Sequence, residues 1–210
     1  MAGMVGNMSV FYVINPAFPQ PRKIKQVSDT LEQGGVIAYP TDTVYGFGCD
    51  LINRKAIERI YRIKSLDPKH LLSFVCPDIS QIAHYAHVSD SAYRVLRRIL
   101  PGPYTIILEA NREVPKKLLH SRKEVGIRVP DCPIALELTR TLGRPIVSSS
   151  VVDEEDNPMS DPIEIRERYD RQLDAVVDGG YLHPQPSTVL RMVGDEVEVI
   201  REGKGPLDLL

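Results

Sequence analysis

Residues 36–64 read VIAYPTDTVYGFGCDLINRKAIERIYRIK, and this stretch decides the fold. The run 36–39 is short, apolar and rich in strand formers, which predicts a buried β-strand. Residues 40–50 are dense in Thr, Asp and Gly and read as a loop by composition. Asn53 is a helix N-cap, and Ile57, Ile60, Tyr61 and Lys64 fall on one side of a helix that runs to Lys64. A buried strand, a loop and an amphipathic helix in succession form the repeating unit of an α/β sheet protein.

The same alternation continues in both directions. Residues 10–14 (VFYVI) read as a strand, and Pro21 opens a helix with Ile24, Val27 and Leu31 on one face, stopped by Gly34 and Gly35. Residues 71–75 are a strand. Ser89 caps a helix carrying Ala92, Leu96 and Ile99, which ends at Pro101-Gly102-Pro103. Residues 104–108 and 125–129 are strands, and Pro133–Leu142 is a helix closed by Gly143. Residues 145–148 are a strand running into a hydroxyl-rich, acidic loop. Asp161 opens a helix to about residue 168, and strands follow at 175–177 and 187–192. Gly194-Asp195 is a hairpin turn before a last strand at 197–200, and that hairpin makes the sheet mixed. No internal repeat or linker is visible. The organisation expected is one domain over 10–205, a flexible N-terminus at 1–9 and a C-terminal tail at 206–210.

Composition narrows the class. With 42% hydrophobic and 26% charged residues among 210, the chain is neither collagen-like nor wholly disordered. Cys49, Cys76 and Cys132 contain no C-x-x-C pair and their odd number gives no disulfide framework, as expected for a reducing compartment. No apolar run approaches the roughly 20 residues that span a bilayer. Residues 1–8 lack the charged-then-apolar order of a signal peptide, so a cytoplasmic location and no membrane partner are expected. The net charge of −2 hides an asymmetry: residues 54–145 hold 17 Lys and Arg against 9 Asp and Glu, and residues 146–210 hold 6 against 15. The basic middle suits anions such as phosphate, carboxylate or RNA; mutual neutralisation across the fold accounts for the same numbers.

Candidate chemistry lies in the loops. Thr41, Asp42 and Thr43 offer hydroxyls and a carboxylate that together suit a zwitterion, and the same side chains build an ordinary turn. Lys64 at a helix C-terminus meets either the helix dipole or a phosphate. Arg128 lies in a strand between Ile127 and Val129; aimed into a cleft, its fork grips a carboxylate or phosphate. Ser148, Ser149, Ser150 and Ser187 put hydroxyls at strand ends. His84 and His87 are three apart, but no third metal ligand follows from spacing, so no metal site is expected. Tyr61, Tyr85, Tyr93 and Tyr104 lie among basic residues; their spacing fits core packing better than base stacking. There is no P-loop, G-x-S-x-G elbow or H-E-x-x-H sequence.

Six segments in order, YPTDTVYGFGCD (39–50), RIYRIKS (59–65), LPGPYTIIL (100–108), VGIRVPDCP (125–133), PIVSSS (145–150) and PSTVL (186–190), resemble the YrdC-like superfamily over residues 10–205. The tail GGYLHPQPSTVL with VIREGKG is similar to its YciO branch. The resemblance implies a twisted, mixed open sheet flanked by helices, with a large basic concave cavity. It implies the conversion of L-threonine, bicarbonate and ATP to threonylcarbamoyl-AMP and pyrophosphate, linked to threonylcarbamoyladenosine (t6A) modification of tRNA. Mg2+ would accompany ATP as substrate, with no tightly bound cofactor. By motif, Lys64, Arg128 and Ser150 are the expected catalytic residues. Thr41, Thr43, Thr105, Ser148, Ser187 and Arg201 are the expected substrate- or nucleotide-binding ones, with Thr41 and Arg128 on threonine and Lys64 on the phosphates.

Two positions depart from the family pattern K-x-R followed by S-x-N: Leu66 stands where Arg is expected and Val152 where Asn is expected. Loss of one such donor in a dry site costs about 2.7–4 kcal/mol of barrier. Arg62 and Lys69 are the nearby cations available as substitutes. The other functions compatible with these departures are a nucleotide- or double-stranded-RNA-binding protein, with AMP or ATP as ligand and Arg94, Arg97, Arg98, Lys116 and Lys117 along the RNA backbone, and a hydrolase of a related carbamoyl-adenylate.

Overall fold

The structure, a computed structural model, describes residues 8–67, 70–115, 118, 123–194 and 196–210. Lys69, Lys116, Lys117, Asp195 and residues 1–7 of the expected N-terminal segment lie outside the described residues.

Ten strands join one mixed sheet in the order β1-β8-β2-β3-β7-β4-β6-β5-β9-β10. They are β1 (Val10–Val13), β2 (Val36–Tyr39), β3 (Gly46–Asp50), β4 (Ser73–Val75), β5 (Tyr104–Glu109), β6 (Glu124–Arg128), β7 (Ile146–Ser150), β8 (Ala175–Asp178), β9 (Thr188–Arg191) and β10 (Glu198–Arg201). The helices are α1 (Pro21–Glu32), α2 (Arg54–Ile63), α3 (Ile79–Tyr85), α4 (Asp90–Ile99), α5 (Pro133–Leu142) and α6 (Pro162–Tyr169). Their ends follow local chemistry. Asn53, Ser89 and Asp161 accept backbone N–H bonds from Ala56, Ala92 and Ile163, satisfying otherwise orphaned donors. Pro begins α1, α5 and α6, and Gly143 closes α5 at φ 74°, a left-handed conformation that costs glycine little.

The two sheet faces are covered unequally. Helices α2, α3, α4 and α6 pack over one face, where Phe47, Phe74, Val147, Ile106 and Ile127 form the larger core. Helices α1 and α5 cover the other face only over β1, β8, β2 and the adjoining ends of β7 and β4, with Ile37, Tyr39, Ile146 and Val75 beneath them. Over β5 and β9 that second face carries Thr105, Ile107, Val189 and Arg191, all only half-buried. One half of one face is therefore left open, and the sequence supplies small residues there.

The structure corrects two element assignments. Residues 46–50 form the central strand β3, not a loop. Gly46 and Gly48 pair with Tyr39 and Ile37 of β2. The Tyr39 ring lies over them so closely that a Cβ at Gly48 would stand 2.7 Å from its Cε1. Glycine here admits an aromatic ring from the neighbouring strand, a tertiary cause that composition does not reveal. Ser149 and Ser150 likewise belong to strand β7 and not to the loop after it. Helix α3, capped by the Asp78 side chain, lies in a segment for which no helix is expected from sequence.

Candidate functional site: a small-residue trough beside an arginine network

Strand register places Gly48, Ser148, Ser73 and Gly126 in one row across β3, β7, β4 and β6. A Cβ on Gly126 would meet the Ser73 hydroxyl at 3.4 Å and the Thr105 methyl at 3.6 Å, so these three side chains share the open face. Ser148 lies on this face too: its hydroxyl is 2.8 Å from where a Gly46 Cβ would be. Gly48 is roofed by the Tyr39 ring, so the floor left over consists of Ser148, Ser73 and Gly126 with the Thr105 methyl beside them. Small side chains leave room above the sheet and offer hydroxyl oxygens to a ligand.

The loop between β2 and β3 folds over this face and meets the end of β6. Arg128 donates from Nη2 to Asp42 Oδ1 at 2.6 Å and to Thr43 Oγ1 at 2.9 Å. The second oxygen of Asp42 accepts the Asp131 backbone N–H at 3.0 Å. The Arg128–Asp42 pair is close to dry, its side chains 10% and 7% exposed. Arg128 Nε is buried without a hydrogen-bond partner among the described residues. Thr41 closes the loop on itself: its hydroxyl donates to Val44 O at 2.6 Å and accepts from the Thr43 and Val44 N–H groups at 3.2 Å. The turn and the site are thus the same object, since the turn bonds hold Thr43 and Asp42 against Arg128.

Thr105 and Ser187 exchange a hydrogen bond of 2.8 Å between their hydroxyls. Arg201 donates to the Ser187 carbonyl at 2.9 and 3.3 Å. These three residues sit where β5, β9 and β10 bring them together. Ser148, in the floor, bonds Tyr39 Oη at 2.9 Å, and burial pushes that phenol's pKa well above its ordinary value.

Farther along β7, α2 meets the strand's C-terminal end, where Ser149 alternates with Ser148 and so faces the side that α2 covers. Lys64 is the C-cap of α2 and donates to Ser149 Oγ at 3.0 Å and to the Ser150 carbonyl at 2.7 Å. Desolvation lowers its pKa, countered in part by the charge of Asp156. Ile146 shares a register row with Val75 and Arg128, so the Ser150 anchor stands four residues farther along β7. At roughly 3.3 Å per residue, the Ser150 position is about 13 Å along β7 from the register row of Arg128.

The expected residues therefore fall into connected groups: Thr41, Thr43 and Arg128; Thr105, Ser187 and Arg201; Lys64 with Ser150; and Ser148 on the floor between. Ser150 offers Lys64 its carbonyl, whereas Ser149 supplies the hydroxyl. Tyr39 and Lys204 join these groups and are not singled out by the sequence; Asp42 and Ser149 are candidates by residue type, though not by motif. Asp42 is marked by its place between two threonines; Lys204 lies in the VIREGKG segment, but its partner 162 residues away is not visible in the sequence.

Leu66 and Val152 are built into the scaffold. Ser65 takes a left-handed conformation at φ 49°, the Leu66 N–H bonds Tyr61 O at 2.9 Å, and the Leu66 side chain packs against the larger core. Val152 forms a bridge with Pro158, and its carbonyl accepts the Tyr169 hydroxyl at 2.7 Å. Arg62, the proposed substitute, is exposed and donates to Glu58 O of its own helix at 3.4 Å. Arg94, Arg97 and Arg98 lie on the exposed side of α4, a helix that packs on the sheet face opposite the trough. Tyr104 is buried, Tyr61 and Tyr85 pack partly against the core, and Tyr93 is exposed. His84 stacks edge-on against Tyr85 at 4.8 Å, and no group of three or more His, Cys, Asp or Glu among the described residues is arranged to hold a metal ion.

A match to the Sua5–YciO–YrdC family model, described as telomere recombination, covers residues 29–203. The chain belongs to the Sua5/YciO/YrdC family. It is 42% identical over 200 residues to the uncharacterized protein YciO of Escherichia coli strain K12, covering 94% of this chain and 97% of that one. The crystal structure of E. coli YciO superposes with a TM-score of 0.91 over 96% of this chain and 99% of that chain. A threonylcarbamoyl-AMP synthase of Halorhodospira halophila is 30% identical, covering 81% of this chain and 92% of the synthase. P. abyssi Sua5 complexed with L-threonine shares the fold at a TM-score of 0.88 and 24% identity, over 95% of this chain and 59% of that chain. Within the family, these relatives include both a synthase and an uncharacterised branch.

Proposed function

We propose that the trough binds L-threonine at its Arg128 end and Mg2+-ATP toward Lys64, as a threonylcarbamoyl-AMP synthase-like site linked to t6A modification of tRNA. The observation that carries this reading is the Arg128–Asp42–Thr43 network beside an open row of Ser148, Ser73, Gly126 and Thr105, with Lys64 held at the end of β7, about 13 Å of strand beyond the register row of Arg128. A small amino acid joined to a nucleotide needs such a two-ended site: a carboxylate and ammonium at one end, phosphates at the other. It also fits the basic cavity that the family resemblance implies. Family membership and the threonine-bound P. abyssi relative support the choice of ligands.

In this reading Arg128, Thr41 and Thr43 hold threonine, with Asp42 keeping the guanidinium oriented. Lys64 and the β7 serines meet the phosphates, and Thr105, Ser148, Ser187 and Arg201 line the space between. The threonine amine takes up bicarbonate with loss of water to form a carbamate. A carbamate oxygen then bonds the α-phosphorus of ATP, and pyrophosphate leaves with the electron pair of the broken P–O bond. Charge developing on the phosphates is met by Lys64. Buried, unpaired thiols are compatible with a cytoplasmic location, and no helix among the described residues is long and apolar enough to cross a membrane.

The test is incubation of the full chain with Mg2+, ATP, L-threonine and bicarbonate, reading pyrophosphate release and the adenylate by mass spectrometry. Product above that of a Lys64→Ala, Arg128→Ala double variant is expected. A second reading is favoured by Leu66 and Val152, which present no donor at the trough: a nucleotide-binding protein without synthase turnover, or a hydrolase of a related carbamoyl-adenylate. It predicts ATP binding with no pyrophosphate release.

A further inference from the structure

The charges around the trough are not equally available to a ligand. Arg128 is neutralised by Asp42 at 2.6 Å. Lys64 donates only to a serine hydroxyl and a carbonyl, and Arg201 to Ser187. A third cation, Lys204, donates from Nζ to the main-chain carbonyl of Asp42. It does not neutralise the Asp42 carboxylate, which is held by Arg128 and the Asp131 N–H. Among the described residues no ion pair is formed by Lys64, Arg201 or Lys204; Glu202, between the last two in sequence, is exposed.

The segment carrying Lys204 is fixed in place. Gly203 N donates to Thr188 Oγ1 at 3.0 Å, Thr188 Oγ1 donates to Gly205 O at 2.7 Å, Lys204 N donates to Pro186 O at 2.8 Å and Tyr104 Oη donates to Pro206 O at 2.8 Å. The backbone approaches so closely that a Cβ on Gly203 would stand 2.4 Å from Pro186 O, and one on Gly205 2.4 Å from Tyr104 Cε1. Glycine on both sides of Lys204 thus seats this segment against β5 and the start of β9. Such anchoring aims one ammonium at the loop that carries the Arg128 network. With one N–H engaged by a neutral oxygen, two remain for a ligand.

We propose that Lys204 is an anion-binding residue of the trough, placed by the C-terminal segment beside the Arg128 end to take the α-phosphate of a nucleotide whose other phosphates run toward Lys64. The inference rests on the reading that the trough accepts a nucleoside triphosphate. It puts available positive charge on the C-terminal side of the site, whereas position 66 holds a leucine turned into the core.

The experiment titrates Mg2+-ATP and, separately, inorganic tripolyphosphate into the full chain by calorimetry. The proteins are the wild type, Lys204→Ala, Lys204→Arg and a control, Lys55→Ala, which removes an exposed lysine of α2 away from the trough. Loss of a charge-assisted bond is expected to weaken both anions by about tenfold or more in Lys204→Ala. Lys204→Arg should recover to within about threefold, and Lys55→Ala should bind as the wild type does. Equal affinity in Lys204→Ala and wild type overturns the inference and leaves the nucleotide reading standing. Binding of tripolyphosphate but not ATP, still dependent on Lys204, overturns the nucleotide reading and keeps the anion site. Failure of the wild type to bind either anion overturns both.

Discussion

Replacing Gly126 by alanine should move stability and ligand binding in opposite directions. Gly126 is in the middle of β6, and its backbone is not left-handed, so alanine is conformationally acceptable. The new methyl would meet only Ser73 Oγ at 3.4 Å and Thr105 Cγ2 at 3.6 Å, ordinary van der Waals distances. Glycine within a strand costs about 0.5–1 kcal/mol relative to alanine. For a chain of this size that gain corresponds to about 1–4 °C in Tm. The same methyl points into the trough. Forcing one carbon into a filled site costs about 1–3 kcal/mol, or about five- to 150-fold in Kd. Thermal unfolding followed by circular dichroism, together with calorimetric titration of threonine and ATP, reads both effects on one preparation. A fall in Tm of several degrees would show that the space above Gly126 is filled by the protein. An unchanged Kd for both ligands would show that neither lies over the row.

Three further outcomes follow from specific contacts. Asp50 is 1% exposed and held by Arg144 through Nε to Oδ1 at 2.7 Å and Nη2 to Oδ2 at 2.5 Å. Arg144→Ala leaves that carboxylate buried without its counter-ion and should lower the unfolding free energy by about 3 kcal/mol at neutral pH in urea denaturation. Burial raises the Cys132 thiol to about 11 and pushes Cys49 and Cys76 higher still. None of the three should react with a thiol reagent at pH 8 until the chain is unfolded, when all three react. Lys64 has its pKa lowered by desolvation, so between that value and its unfolded value the unfolded state binds more protons. Its contribution is a penalty below the lowered pKa that is relieved as pH rises toward about 10.4. Lys64→Met should therefore keep or raise Tm at pH 7, flatten the pH profile of stability in the alkaline range and weaken ATP binding; a large loss of Tm would make Lys64 a structural residue.

Most of the scaffold is legible in the sequence because its signals are local. Caps at Asn53, Ser89 and Asp161, Pro at helix starts, Gly143 at a helix end and runs of strand formers each act over a few residues. The misread segment, 46–50, shows where local information fails: two glycines argue for a loop until Tyr39 is laid across them from the next strand. The candidate site divides in the same way. Motifs single out Thr41, Lys64, Arg128, Ser148 and Ser187, but not how they join. That Asp42 neutralises Arg128, that Ser149 and not the Ser150 hydroxyl meets Lys64, and that Leu66 packs inward are contacts between distant segments.

By itself, then, the sequence determined the α/β class, the order of most elements, the residue types available for anion and amino-acid binding and the basic bias of residues 54–145. The tertiary structure alone decided that Ser148, Ser73, Gly126 and Thr105 from four strands become one open floor, with the Arg128 network at one side and Lys64 held at the end of β7. It also decided which positive charges are already paired and which are free to meet an anion. The physical reason is that strand register and loop closure set these neighbours, and both are fixed by packing between residues as far apart as Asp42 and Lys204.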